Sequence, residues 1–348
     1  MQGPRDHVAQ RRRGARPTGA VRRLARAAAL TLVLACGATA PAAEAQDAAA
    51  FPSRAVKIVV PFAAGGATDI TARQVGAKLA QKWGVPVVIE NHPGAGGNAG
   101  ADLVAKAKPD GYTLLLGVTG SHAINTSLMK NMPYHPLRDF EPLTLATVYP
   151  NAIVVNAAVP ANDLPELIRL IKAQPGEWSY GSDGVGTASH LTMELLKSKG
   201  GFDATHIPYK GGAPMIADLV GGQIKIGITG LPAVQPQVKA GTLKVIAITT
   251  ARRAPGAPTY LTIAEQGFPG FAAAPWSGFF APKGTPPAIV TKIAADMVEV
   301  MQSPELAQKM QDLGSQLVPD TPEQFRRFIE EEIAKWAEAV RISGATVD

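Results

Sequence analysis

Pro61-Phe62-Ala63-Ala64-Gly65-Gly66-Ala67-Thr68-Asp69 follows one apolar, β-branched run and Asn91-His92-Pro93-Gly94-Ala95-Gly96-Gly97-Asn98-Ala99-Gly100 follows another; each opens a stretch with helical spacing. Glycine lets the main chain approach a ligand closely, and a helix start offers unpaired N–H groups to an anion. Two such turns in succession predict a chain of βαβ units that grips something negatively charged with its backbone. The alternation continues, with strands expected at 56–61, 87–91, 112–118, 152–156, 178–181, 205–208, 225–229 and 244–249. Helices are expected between them at 69–82, 97–106, 164–173, 189–199, 214–221 and 232–240, with Asp163 as an N-cap and Pro165 in the first turn. The fold class is α/β with mostly parallel sheets.

After Gly267 the pattern changes. A Gly/Pro-broken stretch through Pro275-Trp276-Ser277-Gly278 and Ala281-Pro282 gives way to helical segments at 288–301, 304–313 and 322–340. Phe325, Phe328, Ile329, Ile333 and Trp336 fall at helical spacing, a core stripe that docks the last helix back onto the first lobe. Residues 46–348 exceed what one hydrophobic core serves, so two lobes are expected. Lobe 1 is 51–150 plus 275–348, lobe 2 is 151–274, and the two chain crossings between them make a hinge.

Residues 1–45 read as an export signal: eight arginines flank or precede an apolar core from Ala27 to Ala35, and Ala43-Glu44-Ala45 supplies an A-x-A cleavage site. The basic stretch before Val21 is unusually long, which places the expected start of the chain near Val21. The formal charge is +6, and removing those arginines against Asp6 and Glu44 leaves the remainder near zero. Basicity therefore gives no sign of a nucleic-acid partner. The single cysteine, Cys36, lies in the signal, so the exported part has no disulfide and no thiol nucleophile. Val33-Leu34-Ala35-Cys36 loosely matches a lipoprotein box, which makes lipid anchoring at Cys36 a minor alternative to the A-x-A site. No other segment approaches transmembrane length.

Gly94-Ala95-Gly96-Gly97-Asn98-Ala99 formally satisfies a dinucleotide fingerprint, but the next strand ends in Thr119-Gly120-Ser121 and lacks the required acidic residue. No cofactor is expected. Neither Ser121 nor Ser182 sits in G-x-S-x-G, and the remaining histidines lack metal-ligand spacing. His122 and His190 are the only candidate general bases, each read first as a polar residue at a helix start. Asp69 reads most simply as a complement to its helix dipole. Turns rich in Gly, Ser and Thr recur at 65–68, 119–122, 181–190, 210–212 and 229–230, at the carboxyl ends of predicted strands, where ligands bind in open α/β sheets. None of these loops contains arginine, and Lys210 is the one nearby cation.

These segments, together with His206-Ile207-Pro208-Tyr209-Lys210-Gly211 and Trp276-Ser277-Gly278 through Pro286, resemble the tripartite tricarboxylate transporter receptor family, also called Bug receptors. The resemblance covers essentially all of 51–345. It implies a periplasmic, two-lobed (Venus flytrap) solute-binding protein, not an enzyme, that closes as a monomer around a small carboxylate. Its partners would be the membrane permease subunits of a transporter or, alternatively, a signalling protein. By position it implies ligand contacts at Phe62, Gly65, Gly66, Thr68, Asp69, Ser121, His122, Gly186, Thr187, Ala188 and Tyr209, with Trp276 at the cleft edge or hinge. Asp183 and Val185 fall where many relatives carry small or amide residues. The cross-class alternative is a periplasmic enzyme using His122 or His190.

Overall fold

The computed structural model describes residues 51–346; the signal at 1–45, with Cys36 and the start near Val21, lies outside the described residues. β-Branched and aliphatic runs form β1 (Val56–Val60), β2 (Val87–Asn91), β3 (Thr113–Val118), β4 (Phe140–Val148), β5 (Asn151–Asn156) and β6 (Ser179–Ser182). β7 (Thr205–Pro208), β8 (Ile226–Gly230), β9 (Leu243–Ile248), β10 (Trp276–Pro282) and β11 (Gln316–Leu317) follow. The helices are α1 (Ala67–Trp83), α2 (Asn98–Ala105), α3 (Asn125–Leu128), α4 (Leu164–Ala173) and α5 (Ala188–Gly200). α6 (Gly212–Val220), α7 (Leu231–Lys239), α8 (Pro287–Met301), α9 (Pro304–Asp312) and α10 (Pro322–Ser343) complete the set. A π-helical turn, Gly120–Ile124, leads from β3 into α3.

Two sheets result, ordered β11-β4-β10-β3-β1-β2 and β7-β6-β8-β5-β9. β1 runs parallel to β2 and β3, and β6 to β7 and β8, whereas β10, β11 and β5 pair antiparallel with their neighbours. The sheets are therefore mixed and not mostly parallel. The reason lies in the connections. A parallel neighbour requires a long crossover, usually a helix, but the chain passes from β4 to β5 through Tyr149-Pro150 alone. β5 and β10, the strands that receive the chain after each crossing, run against most of their sheets. Pro275 O accepts from Tyr149 N at 3.2 Å, which ties the two crossings together.

β4 and β10, which contain Pro142 and Gly278, lie outside the strands expected from sequence, β10 within the stretch read as Gly/Pro-broken. The β10–β4 register skips Leu143 between the Phe279↔Thr144 and Phe280↔Pro142 pairs, so a bulge accommodates the proline. At Gly278 the ring of Phe325 occupies the place of a Cβ. The core stripe of α10 thus requires a glycine in the strand beneath it.

α10 begins with a capping box between Thr321 and Gln324. Its Phe325, Ile329 and Trp336 are buried, and it packs on β4, on Gly120–Ile124 and also on α5, so it touches the layers of both sheets and not the first alone. Glu332 Oε2 accepts from the indole N–H of Trp276 at 3.0 Å and of Trp336 at 2.9 Å.

Candidate functional site

Residues at the carboxyl ends of β1, β3, β6 and β8 and at the starts of α1, α5 and α6 line one common space. Gly66, the N-cap of α1, is extended (φ −79) and supplies no side chain to cap the helix, so the first-turn N–H groups are left for another acceptor. Thr187 caps α5, its Oγ1 accepting from His190 N at 3.3 Å and donating to Gly184 O at 2.7 Å. Gly211 begins α6 at φ 122, a conformation that favours glycine, and offers no side-chain cap. Between these starts lies a cavity of about 30 Å³, walled on the aromatic side by Phe62, Tyr149 and Trp276.

The walls are drawn together. Ala63 N donates to Lys210 O at 3.0 Å across the cleft, and a Cβ on Gly120 would meet Gly186 O at 2.8 Å. A Cβ on Gly96 would collide with Val185 O. The structure is a closed state.

Electrostatically the cavity is unusual. Asp183 is the one charged side chain in its lining, and no lysine, arginine or histidine joins it. Burial pushes the Asp183 carboxyl up to about 6, against the lowering effect of the Thr229 and Ser189 hydroxyls. Its Oδ1 is buried without a hydrogen-bond partner. Asn151, 2 % exposed, also lines the cavity, and its Nδ2 is likewise buried without a partner. The closed site therefore holds one unanswered acceptor and one unanswered donor on side chains, beside the main-chain donors of α1.

Of the residues expected from sequence, Phe62, Gly66, Thr68, Thr187, Ala188 and Trp276 line this cavity. The others stand behind it or outside it. Gly65, at φ 86, shapes the turn, and its N–H goes to Asp69 Oδ2 at 2.9 Å. Asp69 also accepts from Arg73 Nε at 2.8 Å and Asn91 Nδ2 at 3.0 Å. Burial raises its pKa, but these donors outweigh burial and hold it below the usual range. It is spent within its own turn. Ser121 Oγ lies 2.8 Å from His122 Nδ1, and the fully buried His122 ring stacks on Phe280 at 4.0 Å. Burial pushes His122 down to about 3, so the ring is neutral and sits under the sheet, away from the cavity. His190 accepts from Gly186 N through Nδ1 at 3.3 Å and stacks on His206 at 4.2 Å. Neither histidine presents a base to the cleft. Gly186, at φ 76, packs its Cα face onto Asn125. Tyr209 donates to Asp218 Oδ2 at 2.8 Å and borders a separate, outer cavity of about 260 Å³ that shares Phe62 and Asp183 and is also edged by Lys210.

Thr119, Gly120, Ser189, Gly212 and Thr229 line the inner cavity as well. Their signal was present in the recurring Gly/Ser/Thr turns. Tyr149 and Asn151 carried none, because they belong to a crossing whose direct strand-to-strand step is set by the tertiary fold. Among the described residues no group of three His, Cys, Asp or Glu could hold a metal ion, and no helix is long and apolar enough to cross a membrane.

Comparison with known proteins agrees with this architecture. Residues 71–344 match the model of the "Tripartite tricarboxylate transporter family receptor". The chain is 38% identical over 309 residues to the protein BugT of Bordetella pertussis, covering 88% of this chain and 95% of that one. Among solved structures, the periplasmic binding protein BugD is 35% identical with a TM-score of 0.82, covering 85% of this chain and 99% of that one. Rpa4515 of R. palustris, solved with adipate, is 37% identical with the same TM-score of 0.82, covering 84% and 98%. The two-sheet α/β fold is that of periplasmic binding proteins, and the chain belongs to the tripartite tricarboxylate transporter receptor family.

Proposed function

We propose that this protein is a periplasmic receptor whose lobes, 51–150 with 275–348 and 151–274, close on a small carboxylate and present it to the permease of a tripartite transporter. The observation that carries the reading is the convergence of the uncapped start of α1 with the starts of α5 and α6 on one cavity. Helix N-termini attract anions without a cationic side chain, which suits a cleft that holds none. The adipate in the relative Rpa4515 supports the same ligand class. The histidines considered as bases are both stacked and buried, so a receptor is favoured over an enzyme. The test is a thermal-shift panel of mono-, di- and tricarboxylates, amino acids and matched neutral amides. At a hundredfold excess over Kd a true ligand stabilises the folded protein by about 2.7 kcal/mol. At least one acid is expected to raise the melting temperature. A panel in which only neutral compounds do so would refute the reading.

A further inference from the structure

The strongest unassigned feature is the pairing, inside one cavity, of a donor and an acceptor that nothing in the protein satisfies. Buried polar groups are almost always hydrogen-bonded, and an orphan costs about 1–3 kcal/mol. Asn151 Nδ2 and Asp183 Oδ1 are two such orphans in the lining of the same small space. A purely acidic ligand answers only the first. Its carboxylate oxygens accept from Asn151 and from the first-turn N–H groups of α1, but near Asp183 they place a second acceptor against an acceptor, with no cation in the wall to separate them.

We propose, building on the carboxylate-receptor reading, that the ligand is a small acid that also carries an N–H cation, a primary or secondary ammonium, with the carboxylate at α1 and Asn151 and the ammonium at Asp183. Three features support this beyond the two orphan atoms. Asp183 has no ion-pair partner among the described residues. The lining holds no lysine, arginine or histidine that would compete with an ammonium for Asp183. The starts of α5 and α6, which would otherwise draw an anion into the second half of the cleft, already have a carboxyl beside them, since Asp183 Oδ1 lies 3.2 Å from the position of a Cβ on Gly212.

Few other titratable or charged groups face Asp183. Tyr149 approaches from the crossing after β4, its phenol pushed up by burial first and by Asp183 second. Tyr209, pushed up to about 12 chiefly by burial, and the exposed Lys210 border the outer cavity from the loop after β7. His190, on α5, is pushed down by burial. An ammonium at Asp183 requires the ionised carboxylate, so affinity for such a ligand should fall about tenfold per pH unit below about pH 6, as Asp183 takes up a proton. A plain dicarboxylate that shares the Asp183 proton would behave oppositely and weaken as pH rises above that point.

The experiment is calorimetry on the full chain with matched pairs: glutarate against glutamate, butyrate against 2- and 4-aminobutyrate, pentanoate against 5-aminopentanoate. At pH 8 at least one amino acid is expected to bind ten times more tightly or better than its plain partner. Asp183→Asn should erase that preference while sparing plain acids, and Asn151→Ala should weaken both kinds. If Asp183→Asn does not fold, the pH profile of the unaltered protein decides, since it needs no variant. Plain acids binding as tightly as their amino partners in every pair, or an amino acid whose affinity does not fall below pH 6, would overturn this inference and leave the carboxylate receptor standing. Failure of every acid to bind would overturn both.

Discussion

A Cβ on Gly120 would stand 2.8 Å from Gly186 O, across the cleft, and 3.0 Å from Gly96 O, on its own side of it. Gly120 has no unusual φ, so Gly120→Ala adds no backbone strain; it adds a methyl group where the halves meet. Ligand affinity is expected to drop at least about tenfold, about 1.4 kcal/mol, with the melting temperature of the ligand-free protein unchanged within a degree or two. Calorimetry and a thermal melt on the same sample check this, and unaltered affinity would mean that closure does not bring these atoms together. His122 gives a second prediction at this scale. Its folded pKa of about 3 lies below its ordinary 6.5 because burial disfavours the charged ring. The unfolded chain thus takes up a proton that the folded one refuses. Stability contributed by the neutral ring is full above about pH 6.5 and declines by up to about 1.4 kcal/mol per unit as pH falls towards 3. Asp183 works the other way, since its raised pKa relieves a cost as pH falls from about 6 towards 3.8. His122→Phe keeps the stack on Phe280 and removes the titration, so urea unfolding from pH 7 to 4 should show a shallower loss of stability in the variant. Equal slopes would show that His122 is hydrated in the native state.

At the scale of elements, Glu332 on α10 joins pieces far apart in sequence, accepting from Trp276 on β10, from Trp336 on its own helix and from Lys335 at 2.8 Å. Glu332→Leu leaves two buried indole N–H groups without an acceptor. The expected loss is about 2–6 kcal/mol at about 1–3 kcal/mol per orphan, together with weaker ligand binding because Trp276 lines the cavity. Chemical denaturation and calorimetry measure both, and a destabilisation under about 0.5 kcal/mol would mean water replaces the carboxylate. The same elements show what the sequence could and could not disclose. The amphipathic stripe of α10 was readable because its period is local, as was the Asp163 cap, which accepts from Glu166 N at 2.8 Å. β10 was hidden because Gly278, a breaker in isolation, is required by the Phe325 ring packed on it. β4 was hidden because a bulge absorbs Pro142. The glycine turns disclosed where the cavity lies, whereas Asn151 looked like any strand residue. Its exceptional state, a buried amide N–H without a partner, exists only once both sheets enclose it. Asp69 carried two readings in the sequence, a helix-dipole complement and a ligand contact implied by the resemblance, and the fold surrounds it with Gly65, Arg73 and Asn91.

At the scale of the whole molecule, contacts between the two walls enclose the cavity, among them the hydrogen bond from Ala63 N to Lys210 O at 3.0 Å. On the receptor reading proposed above, ligand enters a more open arrangement and these contacts form after capture. The crossings at Tyr149 and near Pro275, joined by one backbone hydrogen bond, are where the chain can flex without breaking either sheet. A covalent lock tests the order of events. An ideal Cβ on Gly211 lies 3.7 Å from Ala63 Cβ across the cleft, within the 3.5–4.5 Å or so that a disulfide spans. Gly211 has φ 122 and ψ 174, so a cysteine there is strained by about 1–3 kcal/mol, a cost the crosslink can offset. The sequence contains one cysteine, so Ala63→Cys with Gly211→Cys in a Cys36→Ser background forms no competing pair. Oxidised before ligand is added, the double variant should show no binding in calorimetry; oxidised afterwards, it should retain ligand through extensive dialysis. Reduction should restore uptake in the first sample and release in the second. Ordinary uptake by the oxidised protein, with the disulfide verified by mass, would show that ligand reaches its site without the cleft opening.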